Sequence, residues 1–191
     1  LALIGLRLSG KSTLGRAVAR QLDRPFVDLD DAVLRRLGAT SVTEAFHAHG
    51  EAAWRAAESA ELARIFSSSP EIVLALGGGA PAAPGAADLL RDAQSREALV
   101  IVLLDPGEEA LVRRLAASRG DRPPLHAGAS TGDTRADAAR EVRELLASRM
   151  PLYRSLADET VDTRDCEAAC ARRVTSAFLG RNRPGSAARS A

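Results

Sequence analysis

Apolar residues along this chain fall into two alternating patterns, short near-continuous runs and longer stretches in which they recur every three or four positions. The short runs predict strands at Ala2–Gly5, Phe26–Asp28, Ile72–Leu76, Leu99–Leu104 and Thr160–Asp162. The runs IVLAL and LVIVLL are almost unbroken, as suits strands buried on both faces of a parallel sheet. Pro25 stands at the entry to the second strand, where the missing N–H is tolerated. The longer stretches predict helices over Lys11–Leu22, Ala32–Leu37, Val42–His47, Glu51–Phe66, Ala86–Ala93, Glu108–Ala117, Ala136–Met150 and Glu167–Leu179. Ser41 and Glu44 make a capping box for the third. Strands and helices alternate, so the fold class is α/β: a parallel sheet of about five strands with helices on both faces. Residues 1–179 read as a single domain, and the tail GRNRPGSAARSA from Gly180 has the composition of a disordered end.

Composition changes this picture little. With 191 residues, a net charge of +1 and 46% hydrophobic residues, the chain reads as an ordinary globular protein. It makes no case for nucleic acid or a membrane surface as a partner. No apolar run is long enough to span a bilayer, and LALIGL is too short and uncharged for a signal peptide, so a cytoplasmic location is expected. One bias is informative. Of the 26 basic residues only Lys11 is lysine, and it stands inside a glycine-rich loop, where arginine's planar fork cannot replace a compact ammonium.

That loop is Gly5-Leu6-Arg7-Leu8-Ser9-Gly10-Lys11-Ser12, between a predicted strand and a predicted helix, and it matches G-x-x-x-x-G-K-[ST]. In this motif backbone N–H groups cradle phosphates, the lysine reaches the β- and γ-phosphates, and the Ser12 hydroxyl is placed for Mg²⁺. Asp28 and Asp30 follow at the end of the second strand, where residues two apart share a face. One could hold Mg²⁺ through water while the other orients or deprotonates a hydroxyl; alternatively Asp30 or Asp31 caps the next helix. Gly77, Gly78 and Gly79 end the third strand and either admit a ligand close to the backbone or form a plain turn. Arg149 continues the apolar stripe of Val142, Leu145 and Leu146, so it meets a buried anion or snorkels out at the helix end. Arg55 could pair with Glu51 or Glu58 on its own helix and stay solvated. Arg122 lies in a Gly-, Pro- and Ser-rich stretch that suits a mobile lid or an inert surface loop. His47 and His49 fall on different helix faces, and Cys166 and Cys170 read as reduced packing residues.

In their order and spacing, GLRLSGKST, FVDLDD, GEAAWR with Glu58, LGGG, DRPPL and SRMPLYR resemble the shikimate kinase family, from Leu1 to about Leu179. The resemblance implies a nucleoside-monophosphate-kinase-like P-loop fold with a lid at about 119–136, and transfer of a phosphoryl group from the co-substrate ATP to shikimate with Mg²⁺. It implies a nucleotide site of Ser9, Gly10, Lys11, Ser12, Thr13, Arg114 and Arg122, with Arg114 near the adenine. Asp30 would engage the accepting hydroxyl, Arg55 and Arg149 the carboxylate, and Gly78 and Gly79 would bind substrate through backbone. Ser12 and Asp28 would serve Mg²⁺, Lys11, Asp30 and Arg122 would be catalytic, and a monomer is expected. Four departures stand out. Leu8 replaces a usual glycine and Trp54 a usual phenylalanine. The stretch from Arg122 to Arg149 is longer than usual, and Thr163-Arg164-Asp165-Cys166 does not show the usual adenine-side motif. The competing expectations are another small-metabolite kinase, such as a gluconate kinase, and a shikimate-binding regulatory domain with weak catalysis.

Overall fold

The computed structural model describes residues 1–68, 71–118 and 133–181. Strands β1 (Ala2–Ile4), β2 (Phe26–Asp28), β3 (Val73–Ala75), β4 (Ile101–Asp105) and β5 (Glu159–Asp162) form a single parallel sheet in the order β2-β3-β1-β4-β5. From β1 the chain passes to β2 at one edge, returns to insert β3 between them, then crosses β1 to build β4 and β5 on the other side. A reversal of this kind leaves a crevice at the carboxyl ends of the strands, and the loop after β1 opens into it.

The helices are α1 (Lys11–Leu22), α2 (Leu29–Leu37), α3 (Val42–Ser67), α4 (Ala86–Ser95), α5 (Glu108–Ala117), α6 (Thr134–Leu156) and α7 (Glu167–Arg181). Successive strand residues point to opposite faces. Ile4, Leu74, Ile101 and Leu103 enter a core shared with helices α2 to α6, whereas Leu3, Val73, Val102 and Leu104 pack against α1 and α7. Burial on both faces is why these strands carry apolar residues at every position rather than at alternate ones.

The helices expected at Val42–His47 and Glu51–Phe66 are both present within α3, separated at Gly50, whose φ of 79° and ψ of 163° are not helical and suit a residue without a side chain. Two other elements differ from the sequence expectation. Helix α2 begins at Leu29, earlier than Ala32, because Asp28 caps it by accepting from the Asp30 N–H at 3.1 Å. Helix α6 runs through Pro151 to Leu156 instead of ending at Met150. The ring removes one helical N–H, and burial of Tyr153 and Leu156 just beyond it offsets that loss. The capping box at α3 is half formed: Ser41 accepts from the Glu44 N–H, but the Glu44 carboxylate turns to Thr40.

Of the stretch expected as a lid, 119–132, including Arg122 and DRPPL, lies outside the described residues, and so does the tail beyond Arg181. Asp133 caps α6 through the N–H groups of Arg135 and Ala136. No helix among the described residues is long and apolar enough to cross a membrane.

Candidate active site

The loop between β1 and α1 wraps around Lys11, which is buried although charged. Its Nζ donates to the carbonyls of Gly5 at 3.0 Å and Leu6 at 2.8 Å, and approaches Ser9 Oγ at 3.4 Å. The ammonium is thus held at the mouth of α1 by groups that a phosphate oxygen can replace. Leu8 adopts a left-handed φ of 65°, which costs about 1–2 kcal/mol in a residue with a side chain. Its carbonyl accepts from Arg114 Nη1 at 2.8 Å, so α5 pins the loop at the residue whose backbone is strained.

Ser12 Oγ donates to Asp28 Oδ2 at 2.6 Å. Asp28 therefore ends β2, caps α2 and touches the phosphate loop at once. Asp30 lies in the first turn of α2 rather than on the strand, so a shared strand face is not what brings the two carboxylates together. The cap alternative falls to Asp28, which leaves Asp30 turned toward the crevice. As a donor set, Ser12 and Asp28 offer hard oxygens that suit Mg²⁺. No group of three or more His, Cys, Asp or Glu able to hold a metal occurs among the described residues, so phosphate oxygens and water would complete the shell.

Two cavities open side by side. The larger, about 430 Å³, is lined by Ser9, Gly10, Lys11, Ser12, Thr13, Asp28, Asp30, Gly78 and Arg114, and on its far wall by Thr163, Asp165, Glu167 and Cys170. The smaller is lined by Arg7, Asp30, Val42, Phe46, Trp54, Arg55, Glu58, Gly78, Gly79 and Arg149. Asp30 and Gly78 belong to both. A third cavity of about 470 Å³ lies away from the phosphate loop, lined by residues such as Leu1, Ile72, Leu99 and Phe178. Charged residues on its wall pair with each other, Arg24 with Glu71 and Arg96 with Asp92, and offer no convergent set for a ligand.

Charge dominates the smaller cavity. Arg55 donates to Glu58 at 2.8 Å and to Glu51 at 3.0 Å; the pairing expected from its helix is present, but its side chain is only 18% exposed and is not solvated. Burial pushes the Glu58 carboxyl above the usual carboxylate range; Arg55 opposes that shift, and the nearby Asp30 adds to it. Arg149 is half-buried, and its Nη1 donates to the Gly78 carbonyl at 2.5 Å. The Tyr153 hydroxyl, one turn further along α6, donates to the same carbonyl. Burial raises the Tyr153 phenol above its ordinary pKa, with Arg149 opposing, so it stays a donor.

Close approach requires glycine most firmly at position 78. A Cβ there would lie 2.9 Å from the backbone nitrogen of Arg7, an atom that cannot swing aside. A Cβ on Gly77 would overlap the Asp30 carboxylate, and one on Gly79 the Arg55 guanidinium, side-chain ends that would have to move.

Sequence reasoning left several residues in or beside the cavities without a role. Tyr153, the single tyrosine of the chain, lies at helical spacing from Arg149, a signal that was available. Arg7 sits within the motif at a position the pattern leaves open. Thr163, only 4% exposed, has no hydrogen-bond partner for its hydroxyl among the described residues and faces the larger cavity beside Asp165 and Glu167. Cys170, expected as packing, is buried and lines the same wall, while Cys166 is exposed.

A phosphate loop on a five-stranded parallel sheet, with a lysine, a hydroxyl and two carboxylates converging on it, defines a P-loop phosphotransferase fold. The shikimate kinase family model matches residues 7–178. The chain belongs to the shikimate kinase family, a family of kinases. It is 37% identical over 166 residues to the shikimate kinase of Syntrophus aciditrophicus, covering 85% of this chain and 82% of that protein. The structure of shikimate kinase from Acinetobacter baumannii in complex with shikimate is similar at a TM-score of 0.79 and 28% identity, over 96% of this chain and 94% of that one. A gluconokinase from Sinorhizobium meliloti shares the fold alone, at a TM-score of 0.52 and 16% identity over 94% of this chain and 90% of its own.

Proposed function

We propose that this chain transfers the γ-phosphoryl group of ATP to a ring hydroxyl of shikimate, forming shikimate 3-phosphate on the route to aromatic amino acids. The observation that carries the reading is that Asp30 and Gly78 line both cavities, so a phosphate held by the loop and an alcohol held beside Arg55 and Arg149 meet at one carboxylate. Lys11 exchanges the Gly5 and Leu6 carbonyls for phosphate oxygens and offsets the charge that develops there. Asp30 accepts the hydroxyl proton as the oxygen attacks. Ser9, Gly10, Ser12 and Thr13 hold the phosphates at the start of α1, with Arg114 toward the base. Ser12 and Asp28 hold Mg²⁺, which when bound neutralises charge on the phosphates. Arg122, outside the described residues, completes the catalytic set by the family resemblance.

As the side chains stand, the acceptor cavity holds about 60 Å³, too little for a six-membered ring acid. Arg55 folds onto Glu58, and Arg149 onto the Gly78 carbonyl. On binding, the two guanidinium groups turn to the carboxylate of the substrate, and the backbone of Gly78 and Gly79 receives its ring. Leu8 and the longer lid stretch are the departures that would favour a weakly catalytic regulatory domain. Leu8 takes up the left-handed conformation itself, and Arg114 holds it there. Action as a cytoplasmic monomer is part of this proposal. The test is ADP release with ATP and Mg²⁺ against a panel of acceptors. Shikimate is expected to support turnover and gluconate not; turnover with gluconate alone would overturn the assignment.

A further inference from the structure

The phosphate loop carries a residue that neither its motif nor its chemistry requires. Arg7 lines the acceptor cavity, not the nucleotide cavity, and its Nη1 lies 3.1 Å from Glu141 Oε1 on α6. Both side chains are largely shielded, 15% and 17% exposed, and this Glu141 oxygen is shut off from solvent and accepts no hydrogen bond from a described residue, so the pair is held by charge alone. An ion pair in such surroundings is screened less than one on the surface. Beside it Leu6 shares the apolar core with Leu111, Val142 and Leu145, so the loop is seated on α5 and α6 by apolar contact, with the Arg7–Glu141 pair at its edge.

The contacts form a closed ring. From Arg7 the path runs through Glu141 into α6. Further along that helix Arg149 and Tyr153 both donate to the Gly78 carbonyl. Gly78 in turn abuts the backbone of Arg7 so closely that no side chain fits between them. The nucleotide loop, the helix bearing an acceptor-site arginine and the glycine segment between the cavities are therefore joined through side-chain contacts and one close backbone approach, so a shift of the loop when phosphates displace the Lys11 contacts would bear on α6 or Gly78.

We propose that the Arg7–Glu141 pair is a positioning strut that couples the two sites, so that a nucleotide on the phosphate loop sets Arg149 for the acceptor. This rests on the acceptor reading above. Trp54, the single tryptophan of the chain, lines the acceptor cavity edge-on to Phe46 and reports binding by its fluorescence.

The experiment titrates the full chain with shikimate, with and without saturating Mg-ADP, for the wild type, Arg7→Met, Glu141→Gln and the exchanged pair Arg7→Glu/Glu141→Arg. ADP is expected to tighten shikimate binding about fivefold or more in the wild type, at the lower end of ordinary site-to-site coupling. Each single variant is expected to bring that ratio below about twofold, and the exchanged pair to restore part of it. A merely structural pair would lower thermal stability and weaken both titrations while leaving their ratio intact. Glu141→Gln keeps the shape of the side chain and carries the test alone if Arg7→Met does not fold. An unchanged ratio in the single variants overturns the proposal, as does a wild-type ratio of one. A wild type whose fluorescence ignores shikimate with and without ADP overturns the acceptor reading and this coupling with it.

Discussion

The two cavities that meet at Asp30 and Gly78 are built in different ways. The nucleotide cradle is one unbroken loop and the start of one helix, and it presents backbone N–H groups with a single buried ammonium resting on loop carbonyls. The acceptor cavity gathers residues from the phosphate loop, α2, α3, the glycine segment and α6, and its charges are side chains that occupy one another. A backbone cradle suits phosphate, which is the same in every nucleotide. A cavity of interlocked side chains suits a particular acid, because each guanidinium must give up a partner before it can bind another. Substitutions should therefore divide into those that stop transfer with binding retained and those that release the acceptor with the nucleotide retained.

The sharpest break lies in the cradle. Lys11→Ala is expected to lower kcat by about 10³-fold while thermal unfolding shows the fold intact, because it removes a preorganised charge at the reacting phosphate. Lys11→Arg should also be badly impaired, since the fork does not fit between the carbonyls of Gly5 and Leu6. At the junction, Asp30→Asn should lower kcat by about 10²-fold and change the shikimate KM much less, as loss of a proton acceptor does. Across the boundary, Arg149→Ala should weaken shikimate by about 2 kcal/mol, the low end for a truncated charge partner, because its present partner is a carbonyl rather than a buried anion. Nucleotide affinity measured by calorimetry should stay near wild type in that variant. An unchanged shikimate KM would make Arg149 a structural tie to Gly78 and remove it from the acceptor site. The smallest effect is expected from Leu8→Gly. Relief of the left-handed strain, less the added freedom of glycine when unfolded, should raise stability by about 0.5 kcal/mol in a denaturant titration.

The same contrast explains what could be read before the structure. Strand positions and the phosphate loop were legible because each is written in consecutive residues, an apolar run or a motif of fixed spacing. Arg149 was legible through helical period, but its partner was not, because the Gly78 carbonyl lies 71 residues away and carries no side-chain signature. Asp28 and Asp30 were singled out as a pair but wrongly related. A strand of three residues ends at Asp28, and its carboxylate caps the helix that carries Asp30. The break in α3 was legible at Gly50, whose backbone is not helical, whereas the length of α6 was hidden by Pro151, which the burial of Tyr153 outweighs. Arg7, Tyr153 and Thr163 were missed because their importance lies in what they face.

The most direct test of the central claim is ³¹P NMR of the wild-type chain with ATP, Mg²⁺ and shikimate. The account predicts that the γ-phosphate signal is replaced by equal amounts of ADP and one phosphomonoester of shikimate, with none when gluconate is supplied instead. Saturable binding of shikimate with no phosphomonoester formed would contradict it and select the regulatory domain.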